Sequence, residues 1–223
     1  MSGLRLENED FSNRRLRELV VAAATLVRCD FSRTRVAGGE FGGGFEPSEY
    51  VECVFDGCRV KNVLPGRATF IGCSFRDVTI QNLRCHEAQF IDCVFTGLLR
   101  TVTFSAVPWS TERLGRTRNA YHGNDFAGAR LMDVAFRGGI DLDRQRLPEG
   151  PEYVLVRNAP EILPAIREQV RTWPESLRLD AETSLWILEN DCETGQRDLL
   201  VRRTLLGRTA EGIDKLAALL IRS

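Results

Sequence analysis

Seven cysteines and two histidines are the side chains of this 223-residue chain best equipped to hold a metal or attack a carbonyl. A zinc site needs four converging ligands, and a thiol nucleophile needs a base beside it. Neither pattern is present: Cys53, Cys58, Cys73 and Cys93 are separated by multiples of five, the spacing of a structural repeat, and His86 and His122 fall in different repeats without a nucleophile motif around them. Buried thiols at such positions pack as small hydrophobes, and free thiols in this number point to a reducing, cytoplasmic compartment. The Asp141 and Asp143 carboxylates could share a proton or hold a cation, but Arg144 and Arg146 stand beside them, so ordinary ion pairing is expected. The glycines of Gly42–Gly44 suggest a phosphate loop, yet no Gly-Lys-Ser/Thr follows, and a projecting loop is the better reading. No catalytic residue, metal or cofactor is expected, and the chain reads as a non-enzymatic binding module.

The remaining candidates are recognition residues. Trp109, Arg113, Arg116 and Arg118 cluster in residues 105–119, and Phe45 sits in residues 42–49. Trp and Arg are frequent interface anchors, and Arg can also pair with phosphate. Two readings stand for each segment. Trp109 either covers the side of the fold while the arginines are solvated or meets a partner; Phe45 is either tucked in or offered.

What positions these segments is a repeat. Tyr50-Val-Glu-Cys53-Val-Phe55, Phe70-Ile-Gly-Cys73-Ser-Phe75 and Phe90-Ile-Asp-Cys93-Val-Phe95 start 20 residues apart, and Phe55, Val60, Phe70, Phe75, Ile80, Phe90 and Phe95 subdivide that distance into fives. Two residues before each stands a small or thiol-bearing side chain. The spacing begins at Leu6, Phe11, Leu16, Val21 and Leu26, is interrupted in the large column by Pro65 and Cys85, stops at Arg100 and returns at Phe126, Leu131 and Phe136. After residues 42–49 it resumes four residues out of phase. Neither the helical period of 3.6 nor the strand period of 2 produces one large and one small apolar residue in five. A chain that turns once per pentapeptide does, four sides closing a square, with successive turns about 4.8 Å apart. Phe55, Phe75 and Phe95 then form a vertical ladder.

On these segments, with Cys29-Asp-Phe31-Ser-Arg and Asn124-Asp-Phe126-Ala-Gly, the chain resembles the pentapeptide-repeat family over residues 1–147. The resemblance implies a right-handed quadrilateral β-helix. It also implies a class of partner, since well-understood members interact with type II topoisomerases, by mimicking DNA or by protecting gyrase from inhibitors through projecting loops. The near-neutral coil departs from DNA mimicry more than from loop-mediated protection.

Charge and composition narrow the rest. Thirty Lys and Arg against 31 Asp and Glu leave a formal net charge of −1, with neither the basic field of a nucleic-acid binder nor an acidic one in bulk. Nucleic acid is therefore not the expected partner, although local stripes are not excluded. Only Lys61 and Lys215 are lysines, an Arg bias attributed to genome composition. The apolar run Leu19–Val27 is too short to span a membrane and keeps the pentapeptide register, so it reads as coil. After Leu147 the five-residue pattern ends and a helical domain, residues 148–223, is expected. Tyr153–Val156 reads as a strand, a helix opens at Pro160 and runs to Pro174, a second contains Leu185, Trp186 and Leu188, and Thr209 caps a third striped by Ile213, Leu216, Ala217 and Leu220. These helices either cap the open end of the coil or form a homodimer through that stripe. The functional alternatives are a topoisomerase-directed protein working through its loops and a scaffold or adaptor recruiting a partner through the helical domain.

Overall fold

The computed structural model describes residues 2–222, the side chains of Arg113 and Arg222 excepted. The chain divides into two compact units, Met1–Val134 with Asp141–Pro148, and Ala135–Ile140 with Glu149–Ser223.

The first unit is the four-sided coil that the repeat predicts. Its corners show why five residues make one side. Two positions after most of the large inward residues the chain adopts a left-handed conformation, as at Asn8, Asn13, Asn62, Asp77, Asn82, Asp92 and Asp133. Asn and Asp tolerate positive φ better than other side-chain-bearing residues. Between corners the backbone is extended and pairs in parallel with the turns above and below. One sheet stacks Arg5–Glu7, Thr25–Val27, Ser48–Val51, Ala68–Ile71, Gln89–Ile91 and Tyr121–His122. A second stacks Arg15–Leu16, Arg35–Val36, Arg59–Lys61, Ser74–Cys85, Val94–Ser105 and Asp125–Arg137, and a third joins Leu19–Ala22, Gly39–Gly43 and Val63–Leu64. The remaining side is held by isolated bridges from Asp10 through Asp30 and Val54 to Ser74.

Inside, Phe11, Phe31, Phe55, Phe75, Phe95 and Phe126 form one continuous stack, with centroid spacings of 5.0, 4.9, 4.8, 4.8 and 4.8 Å. Each fully buried ring contributes roughly 2–3 kcal/mol of burial. The small column has its own chemistry. The thiols of Cys53, Cys73 and Cys93 reach the carbonyl oxygens of Leu26, Tyr50 and Phe70, each in the turn before, at 3.4, 3.3 and 3.5 Å. Asn124 continues the series with its amide donating to Phe90 O at 2.9 Å, and on another side Thr34 and Cys58 donate to Phe11 O and Phe31 O. A side chain that is small and also a donor fits this column because it fills the corner while binding a buried carbonyl. Burial pushes the Cys58 thiol up to about 12, and raises Cys73 and Cys85 further; at Cys53 the contact with Cys73 acts first, then burial.

The repeat does not stop at Arg100. Phe75 pairs with Phe95, but Val78 pairs with Gly97 and Ile80 with Leu99, so the register slips by one residue. Leu99 and Phe104 then point inward, five residues apart, with Val102 as the partner of Phe104, and all three are buried. Gly97 permits the slip: at φ 92°, a Cβ there would lie 2.4 Å from Val78 O.

The second unit is mixed rather than purely helical. Tyr153–Val156 pairs antiparallel with Leu199–Arg202, a strand that carries no period-five or strongly alternating signal. Helices α2 (Ala159–Val170), α3 (Glu175–Glu193) and α4 (Ala210–Arg222) follow α1 (Thr111–Leu114) of the first unit in chain order. As predicted, Pro160 lies in the first turn of α2, and Thr209 Oγ1 accepts from Gly212 N at 3.1 Å at the start of α4. Leu163, Ile166, Val170, Leu185, Leu188, Leu216, Ala217 and Leu220 share one core with both strands. The α4 stripe expected as an alternative dimer interface is thus consumed within its own unit. Trp186, placed with Leu185 and Leu188 in the sequence reading, points the other way and is exposed. No helix among the described residues is long and apolar enough to cross a membrane.

Candidate functional site

Both breaks in the repeat open at the same corner of the square. The sheet partners of the turn run Leu6, Leu26, Tyr50, Phe70, Phe90 and Tyr121, in steps of 20 except for 24 at Tyr50 and 31 at Tyr121. The extra residues lie between Phe41 and Tyr50 and between Phe104 and Tyr121, equivalent positions on the coil. The two loops therefore stand on one edge, three turns apart, or roughly 14 Å at the inter-strand spacing. The residues of the intervening turns at that edge are Gly66 and Arg67, then His86 and Glu87.

Each loop is pinned by the residue that resumes the register, and in both cases that residue is Tyr rather than Phe. The Tyr50 hydroxyl donates to Phe41 O at 2.9 Å, and Tyr121 donates to Ala88 O at 2.9 Å and Cys85 O at 3.0 Å. An insertion diverts the backbone from the ladder and leaves carbonyls to be satisfied, and a phenol in the aromatic column reaches them. Asn119 closes the base of the longer loop, its amide donating to His86 O at 2.8 Å and Ser105 O at 2.9 Å.

The edge between the loops is a polar tether. Arg67 is buried; its guanidinium donates to Phe45 O and to Glu87 Oε2, the latter at 3.3 Å. Arg116 donates to Glu87 O and to Asn119 Oδ1, the latter at 3.0 Å, and burial lowers its pKa despite the opposing pull of the Glu87 charge. Both loops are thus bound to the same His86–Glu87 corner. On this frame the two aromatics face solvent: Phe45 is 83% exposed, and Trp109 is 74% exposed while stacking on His86 at a centroid distance of 3.9 Å and 19°. Phe45 is not tucked against the coil. Trp109 lies on its own corner through one ring face and presents the other.

The predicted arginines part company. Arg116 is a structural anchor, Arg118 is exposed, and the Arg113 side chain lies outside the described residues although its backbone belongs to α1. Thr111, Glu112, Gly115, Arg116, Thr117 and Arg118 surround an open depression of about 550 Å³ within the longer loop. His86, Arg67, Glu87 and Asn119 were not legible as parts of this edge; the one local signal available was Tyr in place of Phe at the end of each insertion. Arg146 meets Asp125 at 3.2 Å, and Asp141 accepts from Asp143 N at 3.0 Å. Among the described residues no group of three His, Cys, Asp or Glu side chains converges for a metal.

No protein-family model matches the chain, and no curated protein matches it. Among solved structures it is similar to full-length QnrB1, described as a plasmid-mediated fluoroquinolone resistance protein, at 18% identity over 66% of this chain and 81% of that one, with a TM-score of 0.22. It is also similar to HetL, described as a pentapeptide repeat protein involved in heterocyst differentiation regulation in the cyanobacterium Nostoc sp. strain PCC 7120, at 13% identity over 61% and 67% of the two chains, with a TM-score of 0.25.

Proposed function

We propose that this pentapeptide-repeat coil is a non-enzymatic, cytoplasmic binding module whose docking surface is the loop edge. The observation that supports this reading is the placement of Phe45 and Trp109, both strongly exposed, on one edge and on loops bound to a common corner by Arg67 and Arg116. Large aromatic rings on a preorganised backbone lose little freedom when they are covered, which favours protein recognition. The partner class to test first is a type II topoisomerase, on the strength of the family resemblance and of two loops projecting from a coil. Gyrase supercoiling should be measured with and without a quinolone, using the intact protein, Phe45→Ser, Trp109→Ala and a variant with residues 105–119 replaced by a short turn. Protection that is lost in the variants supports the reading; no effect of saturating intact protein on the enzyme overturns the topoisomerase assignment.

A second reading, an adaptor acting through the second unit, is favoured by the outward side of α3. Leu179, Trp186 and Ile187 are all exposed there at helical spacing. Loss of partner capture by Trp186→Ala with retention by Trp109→Ala selects this reading over the first.

A further inference from the structure

The near-zero net charge conceals a segregation of sign on the coil. On the side formed by Arg15–Leu16, Arg35–Val36 and Arg59–Lys61, the residues flanking each inward side chain point outward. One outward column is Arg15, Arg35, Arg59, held in direct register by parallel pairing and continued by Thr79. The residues that follow the inward Leu16, Val36 and Val60, namely Arg17, Ala37 and Lys61, make the other, in which Lys61 pairs with Gln81. All five cations are exposed, and among the described residues no ion pair or side-chain hydrogen bond engages them. Carboxylates occur only at the bounding corners, as at Glu18 and Asp77. The two columns rim a groove of about 540 Å³, notched by the small Ala37 between Arg17 and Lys61.

We propose that this groove binds the phosphodiester backbone of a nucleic-acid duplex without reading its sequence. The Arg15, Arg35 and Arg59 guanidinium groups, about 4.8 Å apart along the coil, present forked donors to phosphate oxygens, and Arg17 and Lys61 add two cations in a second row about 7 Å away. The face carries no exposed large apolar side chain, so it lacks the desolvated anchors that a protein partner would bury. It carries no aromatic residue either, so unpaired bases find no stacking platform and the duplex backbone is the form recognised. The side lies away from the loop edge, which opens between the two other sheets, and the proposal does not depend on the protein-binding reading.

The test is fluorescence anisotropy of a short mixed-sequence DNA duplex with the full-length protein. Five phosphate contacts predict a slope of log K against log salt near −4.5, so that affinity falls several hundred-fold between about 50 and 200 mM salt. The triple variant Arg15→Gln/Arg35→Gln/Arg59→Gln should weaken binding by at least about tenfold at the lower salt and reduce the slope by about three. Arg35→Gln alone should reduce it by about one, with an unchanged melting temperature, since the side chain is exposed. Trp109→Ala should bind as the parent does. Absence of duplex binding at the lower salt overturns the proposal, as does a slope that the triple variant leaves unchanged. Equal competition by an oligoglutamate peptide overturns it in favour of an acidic protein segment.

Discussion

The coil and the carboxy-terminal unit bury their apolar residues by opposite means. In the coil, one contact is copied: Phe55, Phe75, Phe95 and Phe126 each meet the preceding ring of the stack at nearly the same distance and within 8° of parallel. In the second unit no contact recurs. Val156, Leu163, Leu185 and Leu216 are fully enclosed by residues from three helices and a two-stranded sheet, and the buried Asp198 is held by Asn158 N at 2.9 Å, Arg157 at 2.9 Å and Arg197 at 2.7 Å. Copying makes the coil quasi-one-dimensional, each turn depending on its neighbours, whereas a core built from distant segments stands or falls as a whole.

The largest test of that contrast compares two core truncations. Phe95→Ala should cost about 3–5 kcal/mol and Leu185→Ala about 2–5 kcal/mol. Their reach should differ: in native-state hydrogen exchange Phe95→Ala should expose amides of the turns containing Phe75 and Phe126 and spare Arg5–Glu7, while Leu185→Ala should lower protection throughout α2, α3 and the strand pair. Uniform loss across the coil in the first variant would break the comparison.

Next in size is the register slip. Gly97→Ala places a Cβ against the Val78 backbone and should destabilise by roughly 1–3 kcal/mol in a denaturant titration. Gly115→Ala is the control for positive φ alone, since nothing lies within 4 Å of a Cβ there.

Acid should act on the second unit through Asp198. Burial raises its pKa, but the Arg197 ion pair, the Asn158 N–H and Arg157 outweigh that and lower it from 3.8 to about 2. Because the folded value lies below the unfolded one, the carboxylate contributes stability above about pH 4 that is lost as pH falls toward 2. In a Trp109→Phe background, whose remaining tryptophans are Trp173 and Trp186, the fluorescence melting temperature should fall over that window, and Asp198→Asn should flatten the fall.

The smallest effect refines the corners. Thr101 adopts φ 54° although it is β-branched and exposed. Thr101→Asn should raise stability by about 1 kcal/mol in thermal melts, since Asn tolerates this conformation better.

Legibility in the sequence follows the same division. The coil could be read because its period is local: Phe55, Phe75 and Phe95 announce the stack, and Asn and Asp at the corners agree with it. Leu99 and Phe104 were hidden because one deleted residue moved them off the count, although Leu99 and Phe104 restart the period together. In the second unit Pro160 and Thr209 marked helix starts, whereas the pairing of Tyr153–Val156 with Leu199–Arg202 is a long-range contact that no window displays. At the loop edge, Trp109 and Phe45 stood out by residue type, but the Arg67, Glu87 and Arg116 tether exists only after three turns are stacked.

The tyrosines that resume the register after each insertion carry a consequence for how such chains change length. Phe95 and Phe126 stack at 4.8 Å, as closely as Phe75 and Phe95 do, although 31 residues rather than 20 separate them. The coil therefore continues in step past both insertions, each of which begins after the inward residue of that side and ends on a phenol that reaches backbone carbonyls. That corner is a grafting port: foreign peptides spliced between Phe41 and Tyr50, or between Phe104 and Tyr121, can vary in length without shifting the stacked rings that follow.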